Sequence, residues 1–179
     1  MKKLLFCLGL VVCAFAFKNQ DFSYWESKSE KEKQSILVDS TVYKDAIEFY
    51  NDKFSPFDTP RCFNLLDSIS INSEKHISFY FFVFNKFLNK SDGAISEIMG
   101  KYCYTLLEKH PDYIITYFSK EGLNKTKLHK LYGMFIGGYF EKKEIDALKT
   151  MLNKNKTAQA KKQVIDELYS EIDRVQKQR

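Results

Sequence analysis

The sequence predicts an all-α fold: a single domain built as an irregular antiparallel array of seven or eight helices, bundle-like or solenoid-like. Three observations carry that expectation. Aromatic residues make up 16% of the chain beside seven glycines and three prolines. Many rings and few turn formers suit long packed helices better than an all-β domain. Apolar residues recur every three or four positions through most of the chain after position 29, the period of one helix face. The polar segments between these stripes are short, which makes consecutive helices antiparallel neighbours. No sequence repeat of solenoid length accompanies the pattern.

In chain order, residues 1–16 read as a cleaved signal peptide. Lys2 and Lys3 form a positive start, residues 4–12 are almost unbroken apolar, and Ala14-Phe15-Ala16 is a small-x-small cleavage signal. The apolar run is too short to remain as a bilayer span. The expected mature chain starts at Phe17 and is periplasmic or secreted. A lipoprotein is the rival reading, because Leu10 stands three places before Cys13. Val12 is bulkier than the Gly, Ala or Ser a lipobox carries before its cysteine. Residues 17–28 hold Phe22, Tyr24 and Trp25 without periodicity and read as an aromatic leader that packs a ring or two on the body, leaving 29–179 as the helical domain.

Ser29 followed by Glu32 forms a capping box and opens a helix over about 30–52, with Ile36, Tyr43, Ile47 and Tyr50 on one face. Residues 55–58 break it. Thr59 and Pro60 supply an N-cap and a first-turn proline for a helix striped by Cys62, Leu65, Leu66 and Ile69. Ser73 is expected to cap the next helix, about 74–90. Its centre, 77–84, is apolar nearly all round, as for a helix with neighbours on most sides.

A helix over about 92–109 sets Ile95, Met99, Tyr102 and Leu106 on one face and pairs Glu97 with Lys101 on the other. His110-Pro111 restarts a short helix that Gly122 closes. Asn124 caps one that carries Leu128, Tyr132, Phe135, Ile136 and Tyr139. A short helix over 143–153 and a polar hinge over 153–157 lead to a last amphipathic helix with Val164, Ile165, Leu168, Ile172 and Val175.

Charge and motifs exclude more than they identify. Cleavage would remove two lysines and lower the formal net charge from +5 to +3, a solubility charge and not a nucleic-acid footprint. No stretch after residue 17 is long enough for a transmembrane segment. His76, His110 and His129 match no zinc spacing and read as surface or capping residues. Glu97, Asp166, Glu167 and Glu171 read as solvated helix faces, and no GxSxG or SxxK motif is present. No catalytic residue, metal or cofactor is expected. Cys62 and Cys103 alone survive cleavage, and a disulfide between them is the expectation in an oxidising compartment. Gly133 and Gly137 share one helix face, where they allow another helix to approach closely.

These features favour a non-enzymatic exported protein that works by protein–protein binding, with an immunity- or inhibitor-type role as one version. A cell-envelope hydrolase with a concealed carboxylate is one alternative, and a structural or lipid-handling envelope protein another. Trp25, Tyr24 and Phe22 are the first candidates for contact with a protein partner. The lysine-rich stretch 142–162, which includes Lys142, Lys143, Lys149, Lys154, Lys156, Lys161 and Lys162, is the second. For processing, N-terminal sequencing of the exported protein is expected to begin at Phe17 with no lipid attached. A chain beginning at an acylated Cys13 would make it a tethered lipoprotein.

Overall fold

The computed structural model describes residues 24–55, 59–91, 93–120 and 127–179. Among these residues the fold is all-helical, with ten α-helices and no strand. A single 3-10 turn, Trp25–Ser27, precedes α1 (Glu30–Leu37), α2 (Lys44–Tyr50) and α3 (Pro60–Asn72). Then come α4 (Ile77–Leu88), α5 (Gly93–Lys109), α6 (Pro111–Lys120) and α7 (Leu128–Tyr139). The chain ends with α8 (Lys142–Lys154), α9 (Lys156–Ala160) and α10 (Lys162–Gln176). Residues 1–16, the expected signal peptide, lie outside the described residues, as do Phe22, Gly122 and Asn124.

Local chemistry sets most helix starts. Ser29 and Glu32 make the reciprocal bonds of the capping box, and Thr59 accepts from the Cys62 amide with Pro60 in the first turn. The expected helix over 30–52 is instead two helices. Asp39 accepts both the amide and the hydroxyl of Thr41, at 2.8 and 2.7 Å. Such a side-chain turn competes with helical hydrogen bonding and diverts the backbone. α2 ends in a Schellman motif, with Lys53 N–H donating to Glu48 O at 2.9 Å and Asp52 N–H to Phe49 O at 3.1 Å. Asp52 takes the left-handed conformation this needs, at φ 56°. Ser73 does not start α4, which begins at Ile77. The polar hinge is itself helical, because the Asn155 carbonyl oxygen caps α9 through Ala158 N–H at 2.8 Å.

α4 is the buried centre that its apolar composition predicts. Its Phe79, Tyr80, Phe81, Val83, Phe84 and Phe87 are all within the core. One side meets the N-terminal elements, Phe79 against Trp25 and Phe87 against Phe49. The other meets α6 and α7, Phe81 against Tyr113 and Phe84 against Tyr132. Each fully buried ring contributes about 1.5–3 kcal/mol relative to exposure. Buried residues from Tyr24 to Ile172 join in one hydrophobic cluster.

The C-terminal half is organised by α7, which lies between α5 and α10 and contacts both along its length. His129 meets Glu167, Gly133 meets Leu168, and Gly137 meets Ile172. Farther on, Gln176 donates to the carbonyls of Gly137 and Phe140 at 2.6 and 2.9 Å. The matched order along both helices means that α7 and α10 run parallel. An added Cβ at Gly133 would stand 2.8 Å from Leu168 O, and one at Gly137 2.8 Å from Ile172 O. On the opposite side, a Cβ at Gly100 would collide with Phe135 O and Tyr139 Cβ. A Cβ at Gly138 would meet nothing closer than Val175 at 4.0 Å.

Gly133→Ala and Gly137→Ala are therefore expected to destabilise the protein by about 1–3 kcal/mol each, the usual cost of overpacking. Gly138→Ala is expected to be neutral or stabilising by up to about 1 kcal/mol, from helix propensity alone. Urea unfolding midpoints of the three variants measure the contrast.

Candidate functional site

The described part of the aromatic leader, from Tyr24 onward, is docked on the core. Trp25 is 2% exposed, with its ring 4.9 Å from Phe79 and 5.5 Å from Tyr50. Tyr24 is 9% exposed, packed on Tyr113 and Tyr117 beneath the ammonium of Lys120 at 4.6 Å. Rings held this way are core, as a leader packed on the body requires, and Tyr24 and Trp25 offer a partner little surface. The expected disulfide is likewise absent: Cys62 and Cys103 are both buried free thiols. Cys62 sits in the first turn of α3, where its thiol faces Ser55 O at 3.7 Å. Cys103 lies inside α5, and burial pushes its thiol well above the ordinary range. Such a thiol is inert packing.

The histidines do more structural work than surface or capping residues do. The turn between α3 and α4 carries two of their contacts. Ser73 Oγ lies 2.6 Å from His110 Nε2, tying the end of α3 to the junction of α5 and α6. Lys75 and His76 converge on Asp39 Oδ2 at 2.9 and 3.1 Å, tying the same turn to the loop after α1. The Lys75 ammonium, then the Thr41 amide and hydroxyl, hold the Asp39 carboxyl well below the usual carboxylate range. Burial, above all, lowers the His110 pKa; Glu74 opposes the shift and Lys109 adds to it.

A serine against a histidine has the outline of a nucleophile and its base. Ser73, however, is wholly buried and serves as the end cap of α3, where no substrate carbonyl could reach it.

His129 is 7% exposed, and its Nε2 stands 2.9 Å from Glu167 Oε2 across the α7–α10 contact. That bond lowers the Glu167 pKa. Glu171 pairs with Arg174, and its Cβ lies beside Gly133. Glu167 and Glu171 thus border a helix interface, not the outer face expected of them. Lys101 pairs with Asp67 of α3 at 3.6 Å in place of an exchange with Glu97. Lys162 pairs with Asp166 at 2.7 Å, one turn along the exposed side of α10. Among the described residues no group of three or more His, Cys, Asp or Glu side chains could hold a metal ion, and no helix is long and apolar enough to cross a membrane.

Among the described residues, the corner made by α8, α9 and α10 brings shape and charge together. A half-open cleft of about 300 Å³ lies there, floored by Leu152, Ala158 and Ile165. Its rim is polar, made by Asn153, Gln159 and the pair of Lys162 with Asp166. Gln159 Nε2 donates to Asn153 O at 2.8 Å and closes one edge. Tyr169 braces the α8 side by donating to Asn153 Oδ1 at 3.2 Å, and burial pushes its hydroxyl up to about 12. Exposed Lys154, Lys156 and Lys161 stand within two positions of the lining residues Asn153, Ala158 and Lys162 in the chain. No protein-family model, curated protein or solved structure matches the chain. The cleft and its lysines were only half legible in sequence: the lysine bias is visible there, but the cleft exists because α9 is a helix and not a hinge.

The lowered His110 pKa gives the α3–α4 turn a pH signature. The unfolded chain holds a proton on His110 from about pH 6.5 downward, whereas the folded chain takes it up only at lower pH. The stability tied to neutral His110 is therefore complete above about 6.5 and lost as pH falls through the folded value. Melting temperature is expected to drop less between about pH 7.5 and about pH 5.5 in His110→Gln than in the wild type.

Proposed function

We propose that this is an exported, non-enzymatic protein-binding module that engages an acidic partner through the lysine-bearing face of α8, α9 and α10. An inhibitor- or immunity-type role is one form this takes. The observation that carries the reading is the coincidence, at one corner, of an apolar floor, a polar rim and lysines without an acidic neighbour. Lys154, Lys156 and Lys161 have no ion-pair partner among the described residues, whereas Lys149 and Lys162 are occupied by Asp173 and Asp166. An apolar centre within a polar, solvent-accessible rim is the usual anatomy of a binding patch.

The histidines and their carboxylate partners support the same reading from the opposite side. Asp39 with His76 and Glu167 with His129 join helices to each other. None of these four side chains borders the cleft. Both pairs act as joints in the fold.

The test pairs a binding assay with an activity assay on the exported protein. A partner captured from envelope extract by the wild type is expected to bind the triple variant Lys154→Glu, Lys156→Glu, Lys161→Glu roughly tenfold or more weakly, since exposed charges contribute up to about 1 kcal/mol each. That binding should also weaken with added salt. Release of fragments from peptidoglycan by the purified protein, abolished by changing one carboxylate, would replace this reading with the hydrolase.

A further inference from the structure

We infer that the cleft between α8, α9 and α10 is a socket for one apolar side chain of an acidic peptide segment in the partner. This rests on the proposed binding function and specifies its ligand. The volume, about 300 Å³, stands at the small end of the roughly 300–1,000 Å³ typical of ligand pockets. It has room for one Leu- or Phe-sized group. Each of the three helices contributes one buried apolar residue to the floor: Leu152, Ala158 and Ile165. Three helices thus define the socket.

The rim chooses the sign of the segment around the anchor. Asp166 is the only acidic group on the cleft lining, and both of its oxygens accept from Lys162 at 2.7 Å. Lys154 stands at the end of α8, Lys156 at the start of α9, and Lys161 between α9 and α10. Their side chains carry the surplus positive charge that flanking Glu or Asp residues of a ligand would neutralise. The apolar anchor supplies affinity by leaving water, and the flanking acids supply orientation and fast encounter.

The test uses the exported full chain and three labelled nonapeptides, read by fluorescence anisotropy. One has a central Leu flanked by Glu on both sides, the second replaces Leu by Ser, and the third replaces every Glu by Lys. The Leu–Glu peptide is expected to bind at least about tenfold more tightly than the Ser–Glu peptide, the gain from burying one Leu side chain. The Lys peptide is expected not to bind. Ala158→Leu fills the socket from its floor and is expected to erase the Leu advantage while leaving salt-sensitive binding of both Glu peptides. The comparison between ligands stands even if that variant unfolds.

Equal binding of the Leu–Glu and Ser–Glu peptides would overturn the socket while leaving a charge-driven binding face in place. Tight binding to phosphatidylglycerol vesicles that the Leu–Glu peptide fails to displace would also overturn it, in favour of a membrane-surface contact. Failure of the broader function would show separately, as an envelope partner that ignores the triple lysine substitution.

Discussion

The close approach of α7 to its neighbours is the constraint on which the rest of the C-terminal half depends. Gly100 lets α5 meet the backbone of α7 on one side, and Gly133 and Gly137 let α10 meet it on the other. Backbones at such separation need hydrogen-bonding groups to be satisfied by neighbours, and the end of α10 does this for α7. Gln176 reaches the carbonyls of Gly137 and Phe140, and Arg179 reaches Phe140 O as well. Because α10 is held parallel to α7, α8 and α9 must carry the chain back between them. That return places α9 against both α8 and α6 and creates the corner where the cleft opens.

Polar groups inside this fold serve mainly as joints. Lys86 of α4 reaches the Tyr50 carbonyl at 2.8 Å and Asp52 at 3.0 Å, neutralising the C-terminal end of α2 where a cation is favoured. Tyr80 accepts the Tyr43 amide at 3.0 Å, and Tyr102 donates to Asp67 at 2.9 Å. Arg61 links Asp45 and Glu48 of α2 while stacking on Phe54 at 3.9 Å. Charges paired this way mainly set the register between helices; their exposed members add little to stability. The same economy explains why the histidines, which could have suggested catalysis, sit at helix junctions.

The lysine corner differs from these joints in setting exposed lysines near a half-open cleft with a buried apolar floor. Its geometry depends on a five-residue helix, α9, started by the side chain of Asn155. Asn155 also donates to Asp112 of α6 at 3.0 Å, so one side chain both starts α9 and anchors it to the body. The floor residues Leu152, Ala158 and Ile165 are thereby held in fixed relation. A ligand entering a preformed cleft of this kind would not have to order it first.

Much of the fold was legible from residues alone because helix rules are local. The capping box at Ser29 and Glu32, the cap at Thr59 with Pro60, and the all-round apolar run at 77–84 each depend on neighbours within a few positions. The glycine face at Gly133 and Gly137 announced a close helix, though not which one. The break at Asp39 was present in the Asp-Ser-Thr sequence, but the apolar stripe running across it hid the turn.

Tertiary structure decided what lies across long separations in the chain. Ser73 finds His110 and His129 finds Glu167 at distances of 37 and 38 residues. Cys62 and Cys103 stay apart although both lie on apolar stripes. No local periodicity encodes those partners, because they follow from how rigid helices pack once their glycines and rings have set the spacing. For the same reason the sequence could show a lysine-rich stretch, while only the packing of α8, α9 and α10 could turn it into a cleft.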